Sequence, residues 1–313
     1  MSETKNKNLL PFLAIVMVPI FYGTFYPITK TVNQNIPIFW MIALRMAFAL
    51  IGFLPFIKKV KKINKETIKL SFLLSSVFLI GVFVQTKGLQ YTSAGKAGFI
   101  GGLFVILTPI LSRIFYKTRF QKFLILPILL IIFGLFIMFY ENSTLFLSFG
   151  IGEAYNFIGA VSIAFHIIFI SKYLKKINIF SVTLIQILII LIFSVIIALF
   201  TESDFSFVEI TTSEWMLLIY LGIFTTTFTF ILQIWGQKSI DETTAAIIIS
   251  SEPVYATFFG WLINDEIITW QIVIGGIIVI IGFIITIIVR NHGLKKNNSS
   301  EMSENSEISE QKE

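Results

Sequence analysis

The chain has 313 residues, of which 56% are hydrophobic and only 13% are charged, with a formal net charge of +6 at pH 7. Soluble domains carry about twice that share of charged residues, so the composition excludes an ordinary soluble protein. The sequence contains no Cys, which excludes disulfides and thiolate sites, and we expect neither a metal nor a cofactor.

Ten apolar blocks of about 20 residues follow one another along the chain. A helix of that length crosses a hydrocarbon core of roughly 30 Å, and these blocks lack the alternation of β-barrel strands. We therefore predict an all-α polytopic membrane protein with ten transmembrane helices in a lipid bilayer. The predicted spans are 9–29, 37–57, 68–90, 93–115, 121–140, 148–171, 179–200, 214–237, 243–263 and 269–290.

The charges of the loops predict the orientation of the spans. With the short N-terminal segment 1–8 inside, nineteen Lys and Arg residues fall on the inner side and three on the outer side. This distribution predicts a multi-pass protein of the cell membrane with both termini in the cytoplasm. It also accounts for the net positive charge, so we do not expect nucleic acid as a partner. The polar tail 291–313 is rich in Ser, Asn and Glu, and we predict that it is disordered.

A weak internal repeat divides the chain into two halves. The stretch NIPIFWMIALR (35–45) resembles KINIFSVTLIQ (176–186) at an offset of 141, and Gln85 matches Gln233 at an offset of 148. Each unit holds five spans, and because five is odd the second unit is inverted relative to the first. Inverted repeats with a site between them are typical of secondary transporters. The predicted repeats are 9–140 and 148–290.

Two motifs carry a family resemblance. They are LQYTSAGKAGFIGGLFVILTPIL (89–111) and TTAAIIISSEPVYATFFGWLINDEIIT (243–269), the second with Glu252, Pro253 and an acidic turn. With Arg45 at a position that is often basic, the sequence resembles the EamA-type members of the drug/metabolite transporter superfamily over about residues 10 to 290. It departs from the family where Tyr22 stands in place of Trp, and where Lys87 stands at a usually apolar position.

The resemblance implies ten helices in two inverted halves, with spans 1, 3, 4, 6, 8 and 9 around a central cavity. It also implies transport of amino acids, other metabolites, sugars or drugs, often outward.

The ionisable residues inside the spans are the first site candidates, because each needs water, a partner or a function there. Lys96 points away from a small-residue face of span 4, so it either faces a cavity or snorkels to the surface. Glu153, on one face with Asn156, lies at a similar depth and pairs with Lys96 or stays an interfacial carboxylate. Glu252 lies near the midplane with Tyr255 on its face. It is a candidate for proton coupling or, alternatively, for a structural pairing, for example with Arg45.

Uncharged polar and aromatic residues complete the candidates. Gln85 and Gln233 are repeat equivalents that suit either a polar cavity wall or interhelical hydrogen bonds. Tyr22 and Tyr26, flanked by prolines, suit a hinge or ordinary packing. Trp235 either stacks on a ligand or anchors the helix at the inner interface.

The sequence lacks the motifs of several enzyme classes. GxxxxGK[ST], HExxH and Gly-x-Ser-x-Gly are all absent, which argues against ATP-driven transport and against an enzyme. We predict a secondary-active transporter, an exporter of small metabolites such as amino acids or amphipathic drugs, that works by alternating access. A proton or another ion is a candidate for coupling, and the oligomeric state stays open. The alternatives are a passive channel or facilitator and, more weakly, an intramembrane enzyme.

Overall fold

The computed structural model describes residues 2–61, 63–88, 91–92, 99–118, 121–140, 150–173 and 177–289. Within these ranges it describes the side chains from Leu10 onward, Tyr26 excepted. Three predictions therefore lie outside the described residues, namely those for Lys96, for the tail 291–313 and for the side chain of Tyr26.

The described ranges fold into ten apolar helices, which confirms the all-α prediction. Nine are long enough to cross a membrane, and α5 is shorter. The helices are α1 (Leu10–Val32), α2 (Ile38–Lys59), α3 (Lys65–Gly88), α4 (Phe99–Tyr116), α5 (Lys122–Met138), α6 (Ile151–Tyr173), α7 (Ile179–Thr201), α8 (Thr212–Gln237), α9 (Glu242–Asn264) and α10 (Trp270–Val289).

The two halves pack as a repeat. α1 packs against α8 and α9, and its counterpart α6 packs against α3 and α4. α2 packs against α8 as α7 packs against α3, while α2 and α7 contact each other, as do α5 and α10. Exchanging every helix for the one five places later reproduces this pattern of contacts, so the molecule consists of two five-helix repeats.

Two glycines show how closely the repeats correspond. A Cβ atom on Gly88 of α3 would lie 3.0 Å from the carbonyl oxygen of Gly152, and one on Gly236 of α8 would lie 2.9 Å from that of Pro11. The two glycines are related by the offset of 148 and the two carbonyls by the offset of 141, so both offsets found in the sequence recur here. Each position needs Gly because the partner backbone leaves no room for a side chain.

Both α4 and α9 are interrupted. In α9 the break lies at Ser250 and Ser251, whose hydroxyl groups donate to backbone carbonyls three residues back at 2.7 and 2.8 Å. Pro253, at the start of the second segment, has no N–H to continue the helix. In α4 the break lies at Leu103, which the offset of 148 relates to Ser251. The interruptions are therefore equivalent in the two repeats.

A third irregularity is a π-helical turn in α8 at Ile223–Phe228. Its wider turn changes the usual backbone hydrogen bonds, and threonine hydroxyl groups donate hydrogen bonds to backbone carbonyl groups. Thr225 and Thr226 both donate to the Leu221 carbonyl, at 2.7 and 2.9 Å. π-helical turns are rare and often lie at functional sites.

Candidate functional site

The centre of the site is a hydrogen bond between the two repeats. The hydroxyl of Tyr22 on α1 donates to Oε1 of Gln233 on α8 at 3.0 Å. Gln233 is buried and Tyr22 is half-buried. Both are candidates from the sequence, and the structure brings them together.

Glu252 lies in the first turn of the second segment of α9. A carboxylate is favoured there because the unsatisfied N–H groups of a helix N-terminus carry partial positive charge. The side chain is half-buried. The neighbouring Tyr255 packs directly on the backbone of Gly23 in α1, so α1 and α9 approach closely beside the site. Interrupted helices in equivalent positions are where secondary transporters bind their substrates.

Arg45 of α2 reaches the same region from the other side. Its Nε donates to the hydroxyl of Thr226 at 2.6 Å and its Nη2 to the carbonyl of Thr225 at 3.2 Å. A direct bond to Glu252 is not among its contacts in the described part of the chain. The pairing of Arg45 with Glu252 suggested by the sequence stays a prediction.

A second group of candidates lies where α3 contacts α6. Gln85 lies against Gly159, and the Asn156 amide donates to the carbonyl of Gly152 at 2.8 Å. Glu153 is buried, accepts a hydrogen bond from the Thr92 hydroxyl and accepts another from the N–H of Gly150 at 2.8 Å. Its pairing with Lys96 stays a prediction.

Trp235 is 36% exposed on α8. Anchoring at the inner interface and stacking on a ligand both stay predictions for this residue. His166 is buried and lies 3.1 Å from the amide nitrogen of Gln186, between two phenylalanine rings. That environment fits a packing role for this histidine.

Two sets of contacts, here called latches, join the repeats at opposite ends of the bundle. The outer latch lies at the predicted outer face between the ends of α1 and α9. Thr31 donates to Asn264 Oδ1 at 3.1 Å, Asn264 donates to the Pro27 carbonyl at 3.1 Å, and Lys30 pairs with Glu266 at 2.6 Å. All three contacts join α1 to the end of α9 or to the turn that follows it.

The inner latch lies at the predicted inner face between the ends of α4 and α6. The hydroxyls of Tyr116 and Tyr173 are 2.9 Å apart, and the Lys172 ammonium lies 5.9 Å from the Tyr116 ring centroid. Lys172 also pairs at 3.0 Å with Glu242 of α9, which accepts a hydrogen bond from Ser112.

The latches are equivalent under the repeat. The offset of 141 relates Thr31 to Lys172, and the offset of 148 relates Tyr116 to Asn264. The contact between Thr31 and Asn264 at one end therefore corresponds to the contact between Lys172 and Tyr116 at the other.

The sequence analysis missed the latches and the contacts of Arg45. The sequence did contain one signal for the contacts of Arg45. It is the run Thr225–Thr227, because three adjacent hydroxyl residues are unusual in an apolar span. The described residues hold no cluster of His, Asp or Glu suited to a metal. A phenol, an amide, a carboxylate and a guanidinium together suit the binding of a small polar molecule.

Comparisons with known proteins agree with this arrangement. Residues 9–140 and 150–288 match the model of the EamA-like transporter family. The chain is 30% identical to an uncharacterized transporter of Archaeoglobus fulgidus over 279 residues, covering 89% of this chain and 86% of the relative. It is 25% and 26% identical to the uncharacterized transporters YoaV and YyaM of Bacillus subtilis, covering 86% and 88% of this chain and 94% and 93% of the relatives.

A solved structure described only as the crystal structure of a protein has the same fold, with a TM-score of 0.74 at 14% identity, over 89% of this chain and 98% of that one. The family model covers both repeats, and the relatives span most of the chain. The chain belongs to the EamA-like transporter family and is a multi-pass membrane transporter.

Proposed function

We propose that the chain is a secondary-active transporter that exports small metabolites, such as amino acids or amphipathic drugs, by alternating access. The substrate binds around Tyr22, Gln233 and Glu252, where interrupted helices of the two repeats meet. The termini face the cytoplasm, as the loop charges predict.

The pair of equivalent latches is the observation that supports this mechanism best. Alternating access needs two gates, one on each side of the site, that never open together. The outer latch joins α1 to α9, and the inner latch joins α6 to α4 and α9. Since the repeats are inverted, opening one latch is the same movement as opening the other, with the halves exchanged.

The state described here has both latches closed. Contacts at both ends of the bundle argue against an open channel. They are equally compatible with a facilitator that alternates, which the uptake experiment distinguishes.

Glu252 is the residue that we propose couples transport to protons. It is half-buried after the break in α9, on the helix that packs against α1 next to Tyr22, and a carboxyl group there can take up and release a proton. Movement of that proton in the same direction as the substrate, or in the opposite direction, couples the proton gradient to the transport cycle.

Uptake by proteoliposomes tests the proposal. The purified protein is reconstituted with a labelled amino-acid mixture outside and an imposed pH gradient. A transporter accumulates substrate above its outside concentration while the gradient lasts, and dissipating the gradient abolishes accumulation. Rapid equilibration to equal concentrations, unaffected by the gradient, would show a channel or facilitator instead.

A further inference from the structure

Arg45 is the most deeply buried charge of the described residues. Its side chain is 1% exposed and passes from α2 between α1 and α8. The guanidinium carbon lies 4.5 Å from the centre of the Phe25 ring. Its hydrogen bonds go to two neutral groups of the π-helical turn, Thr226 and Thr225.

The hydrogen-bond capacity of this guanidinium is only partly used. Arginine has five N–H donors, and in the described part of the chain two of them have acceptors. A cation inside a membrane protein is costly, and uncharged acceptors do not neutralise it. The ring of Phe25 offsets part of the charge. For the other three donors, the described residues provide no acceptor.

The fold itself does not require a charge at this position. In the second repeat Gln186 is the equivalent of Arg45 and His166 is the equivalent of Phe25, both at an offset of 141. Gln186 and His166 contact each other, as Arg45 and Phe25 do, and both are buried. A neutral amide thus fills the same place in the same architecture, so packing does not account for the arginine.

Arg45 lies beside the site described above, since its guanidinium packs on Phe25, which stands three residues after Tyr22 on α1, and Tyr22 bonds to Gln233. We propose that Arg45 binds the carboxylate of the transported molecule and restricts the site to substrates that carry one. The planar fork of the guanidinium matches the two oxygens of a carboxylate. Tyr22 and Phe25 offer aromatic surface to the apolar part of such a substrate. This inference rests on the proposed function and names the chemical class of its substrate.

Four probes of one shape test the proposal on the purified full-length protein. They are 3-phenylpropionate, L-phenylalanine, L-phenylalaninamide and 2-phenylethylamine, of which only the first two carry a carboxylate. Affinity is measured by ligand-induced thermal stabilisation and calorimetry. We expect the two carboxylates to bind the wild-type protein at least about 30-fold more tightly than the amide and the amine, as for a buried charge pair.

Variants connect that preference to Arg45. Arg45→Gln should remove the preference for carboxylates, and Arg45→Lys should keep a weaker one because the charge remains without the fork. Arg113→Gln, which removes an exposed arginine, should change nothing. If Arg45→Gln does not fold, the proposal is still tested by the relative affinities of the four probes for the wild-type protein and for Arg45→Lys.

Three outcomes would overturn the proposal: equal affinity for acid and amide, a preference that survives Arg45→Gln, or binding of none of the four probes. If Arg45 only balances the charge of Glu252, Arg45→Gln lowers the stability, Glu252→Gln restores it, and ligand preference stays the same. Failure of the proposed function is a separate result, since carboxylates would then bind through Arg45 without accumulating in proteoliposomes.

Discussion

Replacing Asn264 by Ala removes both hydrogen bonds of its side chain to α1, one to Thr31 and one to the Pro27 carbonyl, each 3.1 Å long. A neutral hydrogen bond contributes about 1 kcal/mol net, so the outer latch loses about 2 kcal/mol. If these bonds exist only while the outer end is closed, the balance between closed and outward-open states shifts by up to roughly 30-fold.

A single cysteine reports that shift, because the chain has no Cys of its own. Tyr22→Cys places a thiol at the proposed substrate site, and its reaction with a membrane-impermeant reagent follows the fraction of open molecules. In intact cells we expect Asn264→Ala to speed the labelling of this thiol from outside by up to roughly 30-fold. Gln34→Ala, an exposed change at the same end, should leave the labelling rate unaffected.

The equivalent change at the inner latch is Tyr116→Leu. It removes the 2.9 Å contact with Tyr173 and the ring beside Lys172. We expect faster labelling of the same thiol in inverted vesicles and not in intact cells. The reasoning is refuted if both variants speed labelling from the same side, or if neither changes it. If Asn264→Ala speeds labelling only in inverted vesicles and Tyr116→Leu only in intact cells, both latches are confirmed as gates and the predicted orientation is wrong.

Three further predictions concern coupling and stability. Glu252→Gln should flatten the dependence of gradient-driven uptake on pH, and unchanged uptake across a pH series would contradict coupling through this residue. Gly236→Ala should lower the thermal stability by about 1–3 kcal/mol because of overpacking, whereas Gly101→Ala should be tolerated, since its Cβ meets nothing closer than 3.4 Å. Lys172→Met removes the cation from Glu242, which keeps its hydrogen bond from Ser112, and should cost about 1–3 kcal/mol. Lys30→Met, in an exposed pair, should cost at most about 1 kcal/mol in the same thermal unfolding assay.

Much of the fold could be predicted because its causes are local. Length and hydropathy alone define the ten helices, and the repeat offset survives in residues such as Gly88 and Gly236 because each packs on the backbone of the equivalent helix. The sequence could not reveal the interruptions at Leu103 and Ser251. Ser and Pro also occur in helices that stay continuous, and only the meeting of the halves shows that the breaks are equivalent.

The site could be predicted only as a set of candidates. Tyr22 and Gln233 are 211 residues apart, and no local pattern states that they bond. The latch residues stand at the ends of spans, where polar side chains are expected for interfacial reasons alone. Arg45 was visible as a charge in an apolar span, but its neutral partners depend on the backbone of a helix from the other repeat.

The π-helical turn of α8 bears on how the repeats diverged. Before the turn, the carbonyl of Arg45 lies against Gly222 of α8, and the equivalent carbonyl of Gln186 lies against Ser75 of α3. Ser75 and Gly222 are therefore equivalent positions, and the offset between them is 147. Beyond it, the equivalent glycines stand at the offset of 148. The second copy therefore contains one inserted residue that α3 lacks, and the wider turn absorbs it. An insertion in a regular helix would rotate everything that follows by about 100°. Here both flanking surfaces keep their partners, and the irregular backbone confined between them supplies the acceptors of Arg45.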